Sequence, residues 1–422
     1  MPTASPIRGS GFDTTSLETS SSENSKQGPS VERPGSLLSC SFNLANTVLG
    51  SGMLGLPLAF ANVGSGLGIA LLGVFGALSA LGLHLLAQCA EKVPDGAATF
   101  RSVAELAAPR FASLIDVAIG LKCFGVATSY LIVVGDSMPR VIHHGIWRRR
   151  EPWLVLAVLV VAPLSALEKL DGLKFTSGLS LAFVAYLTIM IIALQLSYDC
   201  DDDDNCGSSS RVADLGLRAT KTLPVFVYGY TCHQNMFSVC NEIASPTRLR
   251  IDTVILVSIS VAFCVYLAVG LAGFDTFGTH VEGDILTNYS ASPVVATARV
   301  FVAFLVSLSY PLQCHPSRAC VFSLLESRHP DIRQNTKARL VFTAAFLALS
   351  FLIASAVKSL SLVMSLVGAT GSTAISYILP GGIYYYLYKD DPRQSALKCR
   401  LAFSLFAFGL CVVPTALVLI FI

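Results

Sequence analysis

Two apolar stretches hold the residue types best suited to chemistry. The first, Asn43–Pro57, contains Asn46 and the run Leu49-Gly50-Ser51-Gly52. The second, Pro224–Asn235, packs Tyr228, Tyr230, Thr231, His233 and Gln234 into one or two turns. Glycine and proline there release backbone N–H and C=O groups from helical pairing. In hydrocarbon each unpaired group costs several kcal/mol, so such a break must face protein or a cavity. Two interrupted segments at corresponding places in the two halves of an apolar chain point to a solute site near the bilayer midplane.

Ionisable groups inside apolar segments are the second kind of candidate, because their burial is costly unless it serves a purpose. Lys122 lies within the third apolar segment, and Asp116, about 9 Å away along a helix axis, is out of direct reach. It either pairs with another helix or occupies a cation site with its own ammonium. His233 adjoins the second break and has an unperturbed pKa of roughly 6.5, so it either senses a proton or serves as a hydrogen-bonded structural group. His84 and His315 are weaker candidates of the same type.

Membrane spans must position these residues. Hydrophobic residues make up 53% of the chain and charged residues 13%, against about 25% charged in soluble domains; mean hydropathy is +0.64. Segments of roughly 17–25 apolar residues recur after Ser36. The reading places spans at Leu37–Phe60, Gly66–Ala90, Phe111–Met138, a short Trp153–Leu167, Phe175–Ser197 and Leu223–Val239. Further spans follow at Thr253–Phe274, Val294–Leu312, Leu340–Val357, Leu360–Leu387 and Leu401–Ile422, about eleven in all. An all-α, multi-pass membrane protein follows.

Met1–Gly35, rich in Ser, Thr, Gly and Pro, cannot bury a core and reads as a disordered cytosolic tail, with one transmembrane domain from Ser36 to Ile422. Lys and Arg weigh toward the side of the N-terminus, which places that end in the cytosol and the C-terminus in the lumen or outside; Arg148-Arg149-Arg150 runs against the trend. Asn288-Tyr289-Ser290 is a glycosylation sequon on the non-cytosolic side. Cys200 and Cys206, flanking four aspartates on that side, form a disulfide if the compartment is oxidising.

Four short motifs in order carry a family resemblance. Phe42–Leu56, Tyr130–Asp136, Tyr230–Phe237 and Tyr310–Arg318 resemble signatures of the first, third, sixth and eighth spans of the amino acid/auxin permease family. The match covers nearly all of the chain after Gly35. It is similar in particular to the branch of fungal vacuolar exporters and animal neutral amino acid transporters. The resemblance implies a LeuT-like fold: two inverted five-helix repeats plus one helix.

An amino acid substrate brings a carboxylate and an ammonium. Gly50, Ser51 and Gly52 at an opened helix end offer N–H donors, close approach and a hydroxyl, while carbonyls near Leu49 and Tyr228–Thr231 offer acceptors. Tyr228 and Thr231 share a helix face. The same glycines also suit close helix packing, and the same hydroxyls suit structural hydrogen bonds. In sodium-dependent members of the family, the positions matching Asn46 and Ser309 contribute to a sodium site.

The expectation is therefore a secondary active amino acid transporter, favouring small or neutral substrates. It would export them from vacuole or lysosome to cytosol with protons as the coupling ion. Sodium-coupled uptake at the plasma membrane, through Asn46 and Ser309, is the rival. A sensor signalling through Met1–Gly35 is another, and a channel lacks any visible filter motif. No enzyme motif and no cofactor beyond a proton or sodium co-substrate is expected. A net charge of +2 with scattered basic residues argues against nucleic acid. The lipid bilayer and the amino acid are the expected partners, and oligomeric state is left open.

Overall fold

Apolar runs free of charge become helices here because a helix satisfies every backbone group within its own segment, as hydrocarbon demands. A computed structural model of the chain describes residues 35–93, 98–142, 144–167, 174–197 and 216–422. The described residues belong to one unit, Arg33–Ile422. Among them every regular element is a helix, apart from one isolated bridge between Gly35 and Ile243. The expected tail up to residue 34 lies outside the described residues, as do Cys200 and Cys206.

The helices run in chain order as α1 (Leu37–Val48), α2 (Leu56–Val63), α3 (Ser65–Ala90), α4 (Phe100–Ala107), α5 (Ala112–Ser137), α6 (Arg150–Ala166), α7 (Lys174–Leu196) and α8 (Leu217–Gly229). They continue as α9 (Met236–Glu242), α10 (Arg248–Phe277), α11 (Pro293–Leu325), α12 (Thr336–Ala356), α13 (Leu360–Val367), α14 (Leu379–Tyr388) and α15 (Ala396–Phe421). Among the described residues eight helical stretches are long and apolar enough to cross a membrane; α1 with Ser51–Val63, bent by 42°, makes a ninth. The 17-residue α6 and the interrupted pair α8–α9 fall short of that measure.

Several boundaries depart from expectation for visible reasons. The helix expected over Val294–Leu312 runs on as α11 to Leu325 despite Pro311 and Pro316. Neighbouring helices re-satisfy freed carbonyls, so proline need not end a packed membrane helix. The span expected over Leu360–Leu387 opens into two π-helical stretches, Gly368–Ser372 and Ala374–Ile378. There Thr373 Oγ1 donates to Gly368 O at 2.6 Å, and a hydroxyl inserted this way widens a turn. Amphipathic α4 is a short helix with no counterpart in the expected spans. A reciprocal cap starts it: Thr99 N donates to Ser102 Oγ and Ser102 N donates to Thr99 Oγ1.

Burial sorts the helices into a centre and a rim. The most apolar stretch of the α5 span is 67% buried, that of α15 only 17%. Large apolar side chains such as Leu159, Val341 and Val418 stay exposed, which on a protein this apolar marks a lipid-facing belt. At the centre α5 packs along α11, and α10 packs against α1, α2 and α3. The interrupted segments α1–α2 and α8–α9 lie within this inner set, so their breaks face protein, as the cost of unpaired backbone requires.

Candidate functional site

The first break begins where α1 stops at Val48. Leu49 N still donates to Ala45 O at 2.8 Å, and Gly50 N turns back to Val48 O at 2.8 Å. A 3₁₀ turn, Ser51–Gly55, then leads into α2, with Pro57 near its start. Proline fits there because the first helical N–H groups have no partner. In the second break α8 stops at Gly229, Tyr230–Cys232 is irregular, and a turn at His233–Asn235 starts α9.

The two breaks meet. A Cβ on Gly52 would lie 3.0 Å from Gly229 Cα, so the backbones touch through two glycines. Tyr266 on α10 bridges them from the side: its hydroxyl lies 2.6 Å from Val48 O and 2.8 Å from Gly229 O. One proton thus serves carbonyls freed at the ends of both α1 and α8. Asn235 Nδ2 adds a bond to Thr47 Oγ1 at 2.7 Å.

Against this contact lies a closed ring of three hydroxyls. Ser51 Oγ is 2.8 Å from Tyr228 Oη and 3.0 Å from Ser129 Oγ on α5, and Ser129 Oγ is 2.8 Å from Tyr228 Oη. Tyr130, next to Ser129, fills the space before Gly50, its hydroxyl 3.2 Å from where a Cβ would sit. Each hydroxyl can donate and accept, so this cluster can exchange its internal bonds for those of a carboxylate or ammonium. The structure thus brings Leu49, Gly50, Ser51, Gly52 and Tyr228 together. Thr231 turns elsewhere: it donates to Val227 O at 2.6 Å and receives Ser376 Oγ from the π-helical segment at 3.3 Å.

The four coupling candidates have different surroundings. Asn46 is 4% exposed and its Oδ1 has no hydrogen-bond partner among the described residues, the type of oxygen a hard cation takes. Ser309 is buried on α11. Lys122 is 2% exposed, and among the described residues its ammonium makes no ion pair. Its neighbour on the π-helical segment is Gly371, where a Cβ would meet Lys122 Cβ at 2.5 Å. Asp116 pairs instead with Arg101 of α4 at 2.9 Å, and Asp136 with Arg150 at 3.4 Å. His233 is fully buried with both ring nitrogens engaged: Nε2–H donates to Ser79 O at 3.2 Å, and Nδ1 lies 3.1 Å from Ser376 Oγ.

At the sequon, both ends of the Asn288 amide are bonded: Glu282 N donates to its Oδ1 and its Nδ2 donates to His280 O, each at 2.8 Å. Reasoning from the sequence missed Ser129, Tyr266 and Ser376. Each reaches the breaks from a distant element, and a lone serine or tyrosine in an apolar run carries no signal of such a contact.

Residues 33–421 match the family described as transmembrane amino acid transporter protein. The chain belongs to that family. The transporter is 35% identical to vacuolar amino acid transporter 5 of Schizosaccharomyces pombe, over 90% of this chain and 91% of that one. It is 33% identical to vacuolar amino acid transporter 6 of Saccharomyces cerevisiae, over 89% and 96% of the two chains. With vacuolar amino acid transporter 5 of the same yeast it shares 30% identity, over 91% and 97%. The transporter is an integral multi-pass membrane protein, and the paired breaks lie inside the matched region.

Proposed function

We propose that this protein is a secondary active carrier that moves small or neutral amino acids by alternating access around its two broken helices. Protons are the coupling ion, and the vacuolar or lysosomal membrane is its location. Net flux runs from the acidic lumen to the cytosol, with the N-terminus cytosolic and the C-terminus lumenal. Counting α6 and α8–α9 as spans beside the nine gives eleven, in keeping with a LeuT-like arrangement of two inverted repeats plus one helix.

The single observation that carries this reading is the meeting of the breaks: Gly52 against Gly229, beside the hydroxyls of Ser51, Ser129 and Tyr228. An entering amino acid would trade these internal bonds for its own. Its carboxylate would lie at the N-terminal end of the Ser51 turn, where N–H groups and a partial positive charge are available. Its ammonium would take the carbonyls that Tyr266 now serves. Among the described residues no carboxylate side chain belongs to this cluster, which favours neutral over cationic substrates. The names of the relatives support the vacuolar location.

In the coupling step, Lys122 would supply a buried cation of its own, with His233 as the neighbouring proton acceptor. A second reading, sodium coupling, is favoured by the unpartnered Asn46 Oδ1 together with the Ser309 hydroxyl. Flux of a panel of amino acids into proteoliposomes under an imposed proton or sodium gradient separates the two. Stimulation by protons alone supports the first reading. Stimulation by sodium, lost in Asn46→Ala, supports the second. Saturable binding without flux would overturn both in favour of a sensor.

A further inference from the structure

A cleft of about 1050 Å³ opens at the end of the helices where α5, α6 and the connection from α10 to α11 converge. Charges of both signs line it. Asp136 comes from α5, Arg140 and Arg148 from the turns after it, and Arg150 and Glu151 from α6. Glu282 and Asp284 come from the connection, and Lys358 from the segment before α13. Most of the guanidinium groups are already committed. Arg150 faces Asp136 at 3.4 Å, and Arg140 donates to Thr287 O at 3.2 Å. Arg299, buried on α11 behind the connection, donates to the carbonyls of Arg140, Leu286 and Tyr289.

Asp284 is the exception. It is 3% exposed; its Oδ1 accepts Leu286 N–H at 3.0 Å, while its Oδ2 is buried with no partner among the described residues. No cation stands within ion-pair distance of it among those residues. A charged carboxylate with a bare buried oxygen is costly, and a proton on that oxygen removes the charge. Burial accordingly pushes the Asp284 carboxyl up to about 7; Asp136 adds to the rise, while the Leu286 N–H, Arg299 and Arg140 oppose it.

We propose that Asp284, beside Asp136, is a proton-binding site through which the compartment facing this cleft controls the transport cycle. The proton sits on Asp284 in the arrangement described here. Its loss makes the buried carboxylate seek water, which loosens the connection and disfavours this arrangement. The proposal rests on the carrier reading above and is distinct from the coupling roles of Lys122 and His233.

The test is amino acid exchange in proteoliposomes with the same pH on both sides, so that no gradient drives it, together with thermal stability of the detergent-solubilised protein across pH 5 to 8. Native exchange should fall above neutrality, approaching tenfold per unit as a single proton is lost. In Asp284→Asn, which keeps the shape without the charge, both profiles should be flat and stay near the native level at low pH. Asp284→Glu should restore the slope. A native-like pH profile in Asp284→Asn overturns the proposal. Should neither protein exchange any amino acid, the carrier reading fails, and the stability profile alone decides: flat in the variant supports the proton site, unchanged overturns it. A sodium-dependent stabilisation at pH 8 that Asp284→Asn abolishes would make this a metal-cation site and overturn the proton assignment.

Discussion

Tyr266 carries an unusual burden for one side chain, since its hydroxyl serves backbone carbonyls on both broken helices. Removing that oxygen leaves Gly229 O short of its donor, worth about 1–3 kcal/mol when unsatisfied, and leaves Val48 O with the Gly50 N–H alone. Tyr266→Phe should therefore lower the melting temperature of the purified protein by several degrees. It should also slow net flux more than exchange, because the hydroxyl ties together elements that must move. Equal loss in both flux modes would reduce Tyr266 to a packing residue. Asp284 gives the matching pH prediction. Its folded carboxyl lies above the ordinary value, so the stabilisation is full below 3.8 and is lost as pH rises through about 7. The native protein should melt lower at pH 8 than at pH 5, with the difference removed by Asp284→Asn.

At the scale of elements, the contact between the breaks depends on two residues having no side chain. Gly52→Val would drive a branched carbon into Gly229, whose Cα already stands 3.0 Å from the position of a Cβ. The helices would separate there, and amino acid flux should drop at least tenfold, about 1.4 kcal/mol, while membrane expression persists. Normal flux at normal expression would remove this contact from the site. The π-helical segment makes a similar demand. Gly371 packs on the backbone and Cβ of Lys122, so the π-helical segment lies directly against α5 at that lysine. The widened turns there follow from a threonine hydroxyl taking a carbonyl five residues back, a bond that hydropathy patterns do not register.

For the whole molecule, alternating access requires one end to open as the other closes. Opposite the Asp284 cleft, Gly35 N donates to Glu242 O at 2.9 Å and Ala244 N donates to Gly35 O at 2.8 Å. This short bridge latches the start of α1 to the end of α9. A Cβ on Gly35 would meet Glu242 O at 2.7 Å and Cys40 Sγ at 3.0 Å, so Gly35→Val should force this latch apart. Net flux in proteoliposomes should change while membrane expression persists. Unchanged flux would show that the latch takes no part in opening this end.

The linear order of residues determined a great deal by itself. Charge depletion and apolar run length set the membrane class, because hydrocarbon tolerates little else than satisfied helices. Glycine, proline and clustered polar groups marked both breaks, since those residue types matter wherever backbone pairing fails. The four ordered motifs pointed to the family that the whole-chain match then established. Partnership was decided only by tertiary structure. Ser51 meets Ser129 and Tyr228 across 78 and 177 residues, and Tyr266 reaches Val48 across 218. Hydrophobic periodicity records which face of a helix is buried but not which helix covers it. Asp284, in a polar connection, carries no mark of burial in the sequence; only the fold leaves it 3% exposed with one oxygen lacking a donor among the described residues.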